Sequence, residues 1–318
     1  MRRLAIITLA MLIGLCAFNI EGKVKKTQQR AIVPLNNSNK GYLANDAQPK
    51  QDPKPERVEG PAVMVGQAAD GEILIISIGE TAFLMQKVAG GSFIMGATSE
   101  QGSANPIERP AHEVELSSFY IGETEVTQET WIAVMGSNPS FFGSDMRNPV
   151  NNITWDDSQR FVNRLNALLA KNDDNKGMRF SLPTEAQWEY AARGGQQSQG
   201  YRFSGSNYES SVAWNSSNSE GTVHQVKSKL PNELGLYDMN GNVWEWCQDV
   251  WNPNFYSSSP RRNPVCTSTT QKFSTFHIAR GNGIKDGPGR YVAWRNAYPI
   301  TSKGSDIGMR LVLNFDEN

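Results

Sequence analysis

Residues 236–247, LYDMNGNVWEWC, place oxygen-bearing side chains at Asp238, Asn240, Asn242 and Glu245, then alternate Trp244 and Trp246 with Glu245 and Cys247. The first half reads as a turn, because Asp and the Asn240-Gly241 pair tolerate the backbone angles that turns require. The second half reads as a strand, in which side chains two apart share a face. Trp244 and Trp246 then point one way, and Val243, Glu245 and Cys247 the other. A carboxylate buried at Glu245 needs a partner, and a cation is one candidate. A plain turn held by side-chain to backbone hydrogen bonds is the competing reading of residues 238–242.

Two helices upstream are well marked. TWDDSQRFVNRLNALLA, from Thr154, has an N-cap threonine with Asp157 three residues on, and Phe161, Val162, Leu165, Leu168 and Leu169 on one face. LPTEAQWEYAARGG, from Leu182, has Thr184 as cap and Gln187 as its reciprocal partner, and Gly194 and Gly195 end it. A third helix is predicted near Gln128 to Met135, after GETEVT. GEILIISIGETAFLMQKVAGGSFIMG, from Gly71, reads as strand, turn, strand, a glycine pair and another short strand. Beyond Gly195 the chain predicts short strands with long turn-rich connections, and no tandem repeat of fixed period occurs. The fold class is α+β, with a domain expected over 71–315.

The 318 residues carry a net charge of -1, which gives no reason to expect nucleic acid or an anionic membrane as partner. Arg2 and Arg3 precede an apolar run from Leu4 to Phe18, too short for a comfortable bilayer span and suited to the core of a signal peptide, so residues 1–22 are expected to direct export. Residues 23–70 are rich in Asn, Gln, Lys and Pro and are expected to be a disordered or linker segment. Loss of Cys16 with the signal would leave Cys247 and Cys266, a pair that could form one disulfide in an oxidising compartment or remain as thiols. His112, His224 and His277 are far apart and form no paired metal motif.

Several phrases occur together in order: VAGGSFIMGA from Val88, FYIGETEVTQETW from Phe119, LPTEAQWEYAARGG from Leu182, PNELGLYDMNGNVWEWCQD from Pro231 and IGMRLVL from Ile307. Together they resemble the sulfatase-modifying factor, or formylglycine-generating enzyme, domain. The resemblance implies a C-type-lectin-like fold with small twisted sheets, few helices and much irregular structure. It also implies an oxidase that converts a sulfatase cysteine to formylglycine, using copper, oxygen and two cysteines after an Arg-Gly-Gly-Ser-like turn. Here the matching stretch, ARGNGIKDGPGRYVAWRNAYP from Ala279, holds no cysteine. Copper(I) is soft and is gripped by thiolate sulfur, so the copper reaction is not expected.

By the same resemblance, calcium is expected at Asp238, the carbonyls of Gly241 and Val243, and Glu245, with a second site near Asn215 and Ser216. Calcium takes six to eight hard oxygen ligands, and the turn offers several. The expected protein is therefore an exported, calcium-stabilised scaffold of the cell envelope, located in the periplasm, at the outer membrane or outside the cell. Its binding surface is expected at Arg280, Lys285, Asp286, Arg290, Tyr291, Trp294 and Arg295. A cell-envelope protein is the expected partner, with a peptide or a glycan as alternatives.

Overall fold

Side chains that alternate along a strand or recur along a helix build this fold from short pieces. The computed structural model describes residues 59–69, 71–101 and 105–315. The expected signal peptide over 1–22 and the linker as far as residue 58 lie outside the described residues. The remainder of that linker is corrected: β1 (Val63–Gln67) pairs antiparallel with β2 (Ile73–Ile78) along all five of its residues, and Val63 is buried. The ordered domain therefore starts before Gly71.

From β2 the chain passes through β3 (Thr81–Val88), the hairpin β4 (Gly91–Met95) and β5 (His112–Leu116), and β6 (Phe119–Gly122). Helix α1 (Gln128–Met135) starts at Thr127, whose side chain accepts from the Thr130 amide, and stops at Gly136 in the left-handed region. Helix α2 (Trp155–Leu169) is followed by β7 (Met178–Ser181) and α3 (Glu185–Ala192). Both α2 and α3 begin with the reciprocal capping boxes read from the sequence, Thr154 with Asp157 and Thr184 with Gln187. Such caps satisfy backbone N–H groups that a helix start otherwise leaves unpaired.

The second half contains α4 (Glu209–Val212), β8 (Ala213–Trp214), β9 (Asn240–Gly241), β10 (Trp244–Val250) and α5 (Phe255–Ser258). It ends with β11 (Phe276–Arg280), β12 (Arg295–Pro299), β13 (Ile307–Gly308) and β14 (Val312–Phe315). A six-stranded sheet runs β1-β2-β3-β6-β14-β7, and a four-stranded sheet runs β12-β11-β10-β13. Two-stranded pairs β4-β5 and β8-β9 complete the pattern.

Helices α1 and α2 bury their apolar faces in a core that also receives Trp244 and Trp246. Cys247, on the other face of β10, packs in a second core with Trp188, Tyr190, Ala191 and Ala192 of α3. Strand β10 thus joins the two cores, and the alternation read in WEWC sorts its side chains between them. Helix α3 is buried on nearly every side, so its two carboxylates, Glu185 and Glu189, must be compensated inside the protein.

Candidate functional site

Residues 238–242 form a turn with three residues at positive φ: Asp238 at 57°, Gly241 at 83° and Asn242 at 61°. A Cβ on Gly241 would collide with the Trp214 backbone, so glycine is required on two grounds. The polar side chains of this turn hold four other segments of the chain. Asp238 Oδ2 accepts from the Lys227 amide at 2.8 Å, and Asn240 Oδ1 accepts from the Ser204 amide at 2.7 Å. Asn240 also donates to the Arg290 carbonyl at 3.2 Å. Asn242 accepts from the His224 amide at 3.0 Å and donates to Glu125 at 2.8 Å. The turn is a hub that pins four loops.

Glu245 has a guanidinium partner. Arg310 Nε lies 3.0 Å from both carboxylate oxygens, and its Nη2 lies 2.8 Å from Oε1. Trp188 Nε1 donates to Oε2 at 2.6 Å. Arg310 also donates to the carbonyls of Gly122 and Tyr237, each at 2.8 Å. Both charged side chains are fully buried.

At the set expected to hold calcium with the Gly241 and Val243 carbonyls, Glu245 engages Arg310 and Trp188, and Asp238 holds the Lys227 amide. Among the described residues, no group of three or more His, Cys, Asp or Glu side chains could hold a metal. Two further carboxyls share the neighbourhood of this one arginine. Burial, reinforced by the charges of Asp238 and Glu245, holds Glu125 well above the usual carboxylate range. Burial likewise pushes Asp238 up to about 6.

The second expected metal position is also a turn. Asn215 Oδ1 accepts from the Ser217 amide and hydroxyl, at 2.9 and 2.6 Å, and the Ser216 amide donates to the Asp286 carbonyl.

A second ionic network fixes the loop between β11 and β12. Arg280 donates to Glu185 at 3.1 Å and Glu189 at 2.7 Å, and Arg295 grips both oxygens of Glu185 at 2.7 and 2.5 Å. Arg193 and the Gly96 amide complete the shell of Glu189. Burial alone would raise the Glu189 carboxyl, but Arg193 and Arg280 overcome it and hold the group below its ordinary value. Arg280 and Arg295 are 0% and 2% exposed, so neither belongs to the expected binding surface. Instead, Arg280 donates to the carbonyls of Val292 and Ala293 and so ties down the far end of the loop.

The other five expected surface residues remain accessible. Arg290 lies over the Trp294 ring, 3.9 Å from its centroid, and Tyr291 packs on Phe203 at 5.3 Å. Lys285 pairs with Asp306 at 3.1 Å and is mostly exposed. Asp286 accepts from Trp244 Nε1 at 2.7 Å, which ties the loop to the strand of the opening turn.

The disulfide expectation is corrected as well, because Cys247 and Cys266 are free and buried. Cys247 projects into the α3 core, whereas the backbone of Cys266 pairs with Val250 and its thiol donates to the Ser268 carbonyl. Burial pushes the Cys247 thiol well above its usual value and the Cys266 thiol up to about 11. Neither offers a thiolate at neutral pH, and neither lies in the loop where the copper chemistry would need sulfur. The residues present do not fit a copper site.

Asp249 accepts from the Glu185 and Cys266 amides, at 2.7 and 2.8 Å, and burial, then the Glu185 charge, pushes it up to about 7. An acid whose folded value exceeds its unfolded value of about 3.9 contributes stability below that unfolded value and loses it as pH rises through the folded one. Denaturant unfolding is therefore expected to show a loss on the order of 1–3 kcal/mol between pH 5 and pH 8. Greater stability at pH 8 than at pH 5 would contradict this assignment.

The sequence did not single out Glu125, Glu185, Glu189 or Arg310. The spacing of Glu185 and Glu189, four apart beside Trp188 on a helix, was the available signal for two of them.

With the geometry established, comparison with known proteins places the chain. Residues 80–315 match the sulfatase-modifying factor enzyme 1-like domain. The chaperone protein LppX of Paenibacillus barcinonensis is 32% identical over 246 residues, covering 63% of this chain and 81% of that protein. The formylglycine-generating enzyme of Streptomyces coelicolor is 28% identical over 241 residues, covering 56% and 72% respectively. Among solved structures, Treponema denticola variable protein 1 matches with a TM-score of 0.61 and 30% identity, over 76% of this chain and 98% of that one. The α+β fold, with its small sheets and short helices, is thus of the C-type-lectin-like formylglycine-generating-enzyme type, and this chain belongs to the sulfatase-modifying factor family.

Proposed function

We propose that the protein is an exported, non-catalytic member of this family that binds a protein partner of the bacterial cell envelope through residues 281–294. The observation that carries this reading is a loop without sulfur held on a buried ionic anchor. Arg280, paired with Glu185 and Glu189, donates to the Val292 and Ala293 carbonyls of the loop, and Lys285, Arg290, Tyr291 and Trp294 remain at its accessible side. Aromatic and arginine side chains on a rigid support suit protein recognition, because they bring contact area at little ordering cost. A relative named as a chaperone, matched along most of its length, supports binding of polypeptide over oxidation.

The test has two parts. Incubation of the protein with a Cys-x-Pro-x-Arg peptide, copper and oxygen is expected to give no aldehyde product by mass spectrometry; its appearance would end the non-catalytic reading. In a pull-down from the native envelope, wild-type protein is expected to retain a partner that the Arg290→Ala/Trp294→Ala variant loses. Equal retention by the variant would remove this loop as the binding surface.

A further inference from the structure

Away from that loop, one face of α2 forms the wall of a trough. Trp155, Gln159, Asn163 and Asn166 recur at helical spacing and line a cavity of about 330 Å³. Arg179 of β7 and His277 of β11 also line it. Asn163, Asn166 and Arg179 also line a separate cavity of about 510 Å³ along the end of α2, where Asp173 and Lys176 add charge. Trp155 is stacked on His277, with ring centroids 4.0 Å apart and planes 27° apart, so a rigid aromatic pair lines the trough. Burial lowers the His277 pKa, which keeps this ring neutral at neutral pH. Arg179 is then the one charged side chain lining the first cavity among the described residues.

Two features decide what such a trough accepts. The amide of Asn166 is bonded to both the N–H and the carbonyl of Phe180, at 2.8 and 2.9 Å. It occupies the free edge of β7 at that residue, so an extended peptide cannot add there as a further strand. The side chains of Gln159 and Asn163, by contrast, make no hydrogen bond among the described residues, although both line the cavity. An amide presents a donor and an acceptor side by side, which matches neighbouring hydroxyls, and an aromatic ring packs against the apolar face of a sugar ring.

We propose that this trough binds an uncharged oligosaccharide, with Trp155 as the platform and Gln159 and Asn163 as hydroxyl readers. The site is independent of the loop at residues 281–294. The full chain is screened against immobilised neutral hexose and N-acetylhexosamine oligosaccharides, and binding is then measured by titration calorimetry. At least one probe is expected to bind. The Gln159→Ala/Asn163→Ala variant is expected to bind it roughly tenfold more weakly, the effect of two lost hydrogen bonds. Its unfolding temperature is expected to be unchanged, since neither amide bonds within the fold. Silence across the array, or wild-type affinity in the double variant, would overturn the proposal.

Discussion

Replacing Arg310 with methionine is expected to lower the unfolding temperature by roughly 6–20 °C, while a chelator leaves the wild-type protein unchanged. Arg310 is the direct cationic partner of Glu245, and the two are fully buried. Removing one partner of a buried pair leaves an uncompensated charge and costs about 3–5 kcal/mol. For a domain of this size, each kcal/mol shifts the midpoint by about 2–4 °C. The same substitution strands the Gly122 and Tyr237 carbonyls that Arg310 holds, which adds to the loss. Glu245→Leu combined with Arg310→Met is expected to recover part of the stability, because no charge is then left alone. The calcium reading makes the opposite prediction. A chelator would lower the midpoint of the wild type, since an ion bound only to the folded state must stabilise it. That result, together with a mild effect of Arg310→Met, would restore the metal and displace the ion pair as the main compensation of Glu245.

Arg280→Met is expected to destabilise the domain by about 1–3 kcal/mol in denaturant unfolding and to open the loop at residues 281–294 to limited proteolysis. Arg280 is shared between Glu185 and Glu189, and its ring contact with Trp188, at 5.0 Å, places it within the α3 core. Glu185 would keep Arg295 and Glu189 would keep Arg193, so both carboxylates would remain partly paired. The loop would lose the donors to its Val292 and Ala293 carbonyls, while its bonds to Asn240, Trp244 and Arg202 would remain. The expected cleavage lies between Lys285 and Arg290, where the chain is most exposed. Destabilisation without new cleavage would separate the ionic core from the loop and would weaken the case for a pre-organised binding surface.

The chain's own residue pattern determined what depends on neighbours a few positions apart. Both capping boxes, the buried stripe of α2, the turn at residues 238–242 and the opposite faces of Trp246 and Cys247 follow from local spacing, and the structure contains them. The ordered phrases along residues 80–315 carried the family. Tertiary structure alone decided which group compensates each buried charge. Glu245 meets Arg310 across 65 residues, and Arg280 meets Glu189 across 91. Arg280 and Arg295 read as surface residues because a loop arginine usually is one, and only the burial of α3 turns them inward. Periodicity reports which face a side chain takes and is silent on what stands opposite. Desolvation then makes that opposite group decisive, because a carboxylate removed from water accepts a guanidinium, a metal ion or a proton, and the fold determines which of them is within reach.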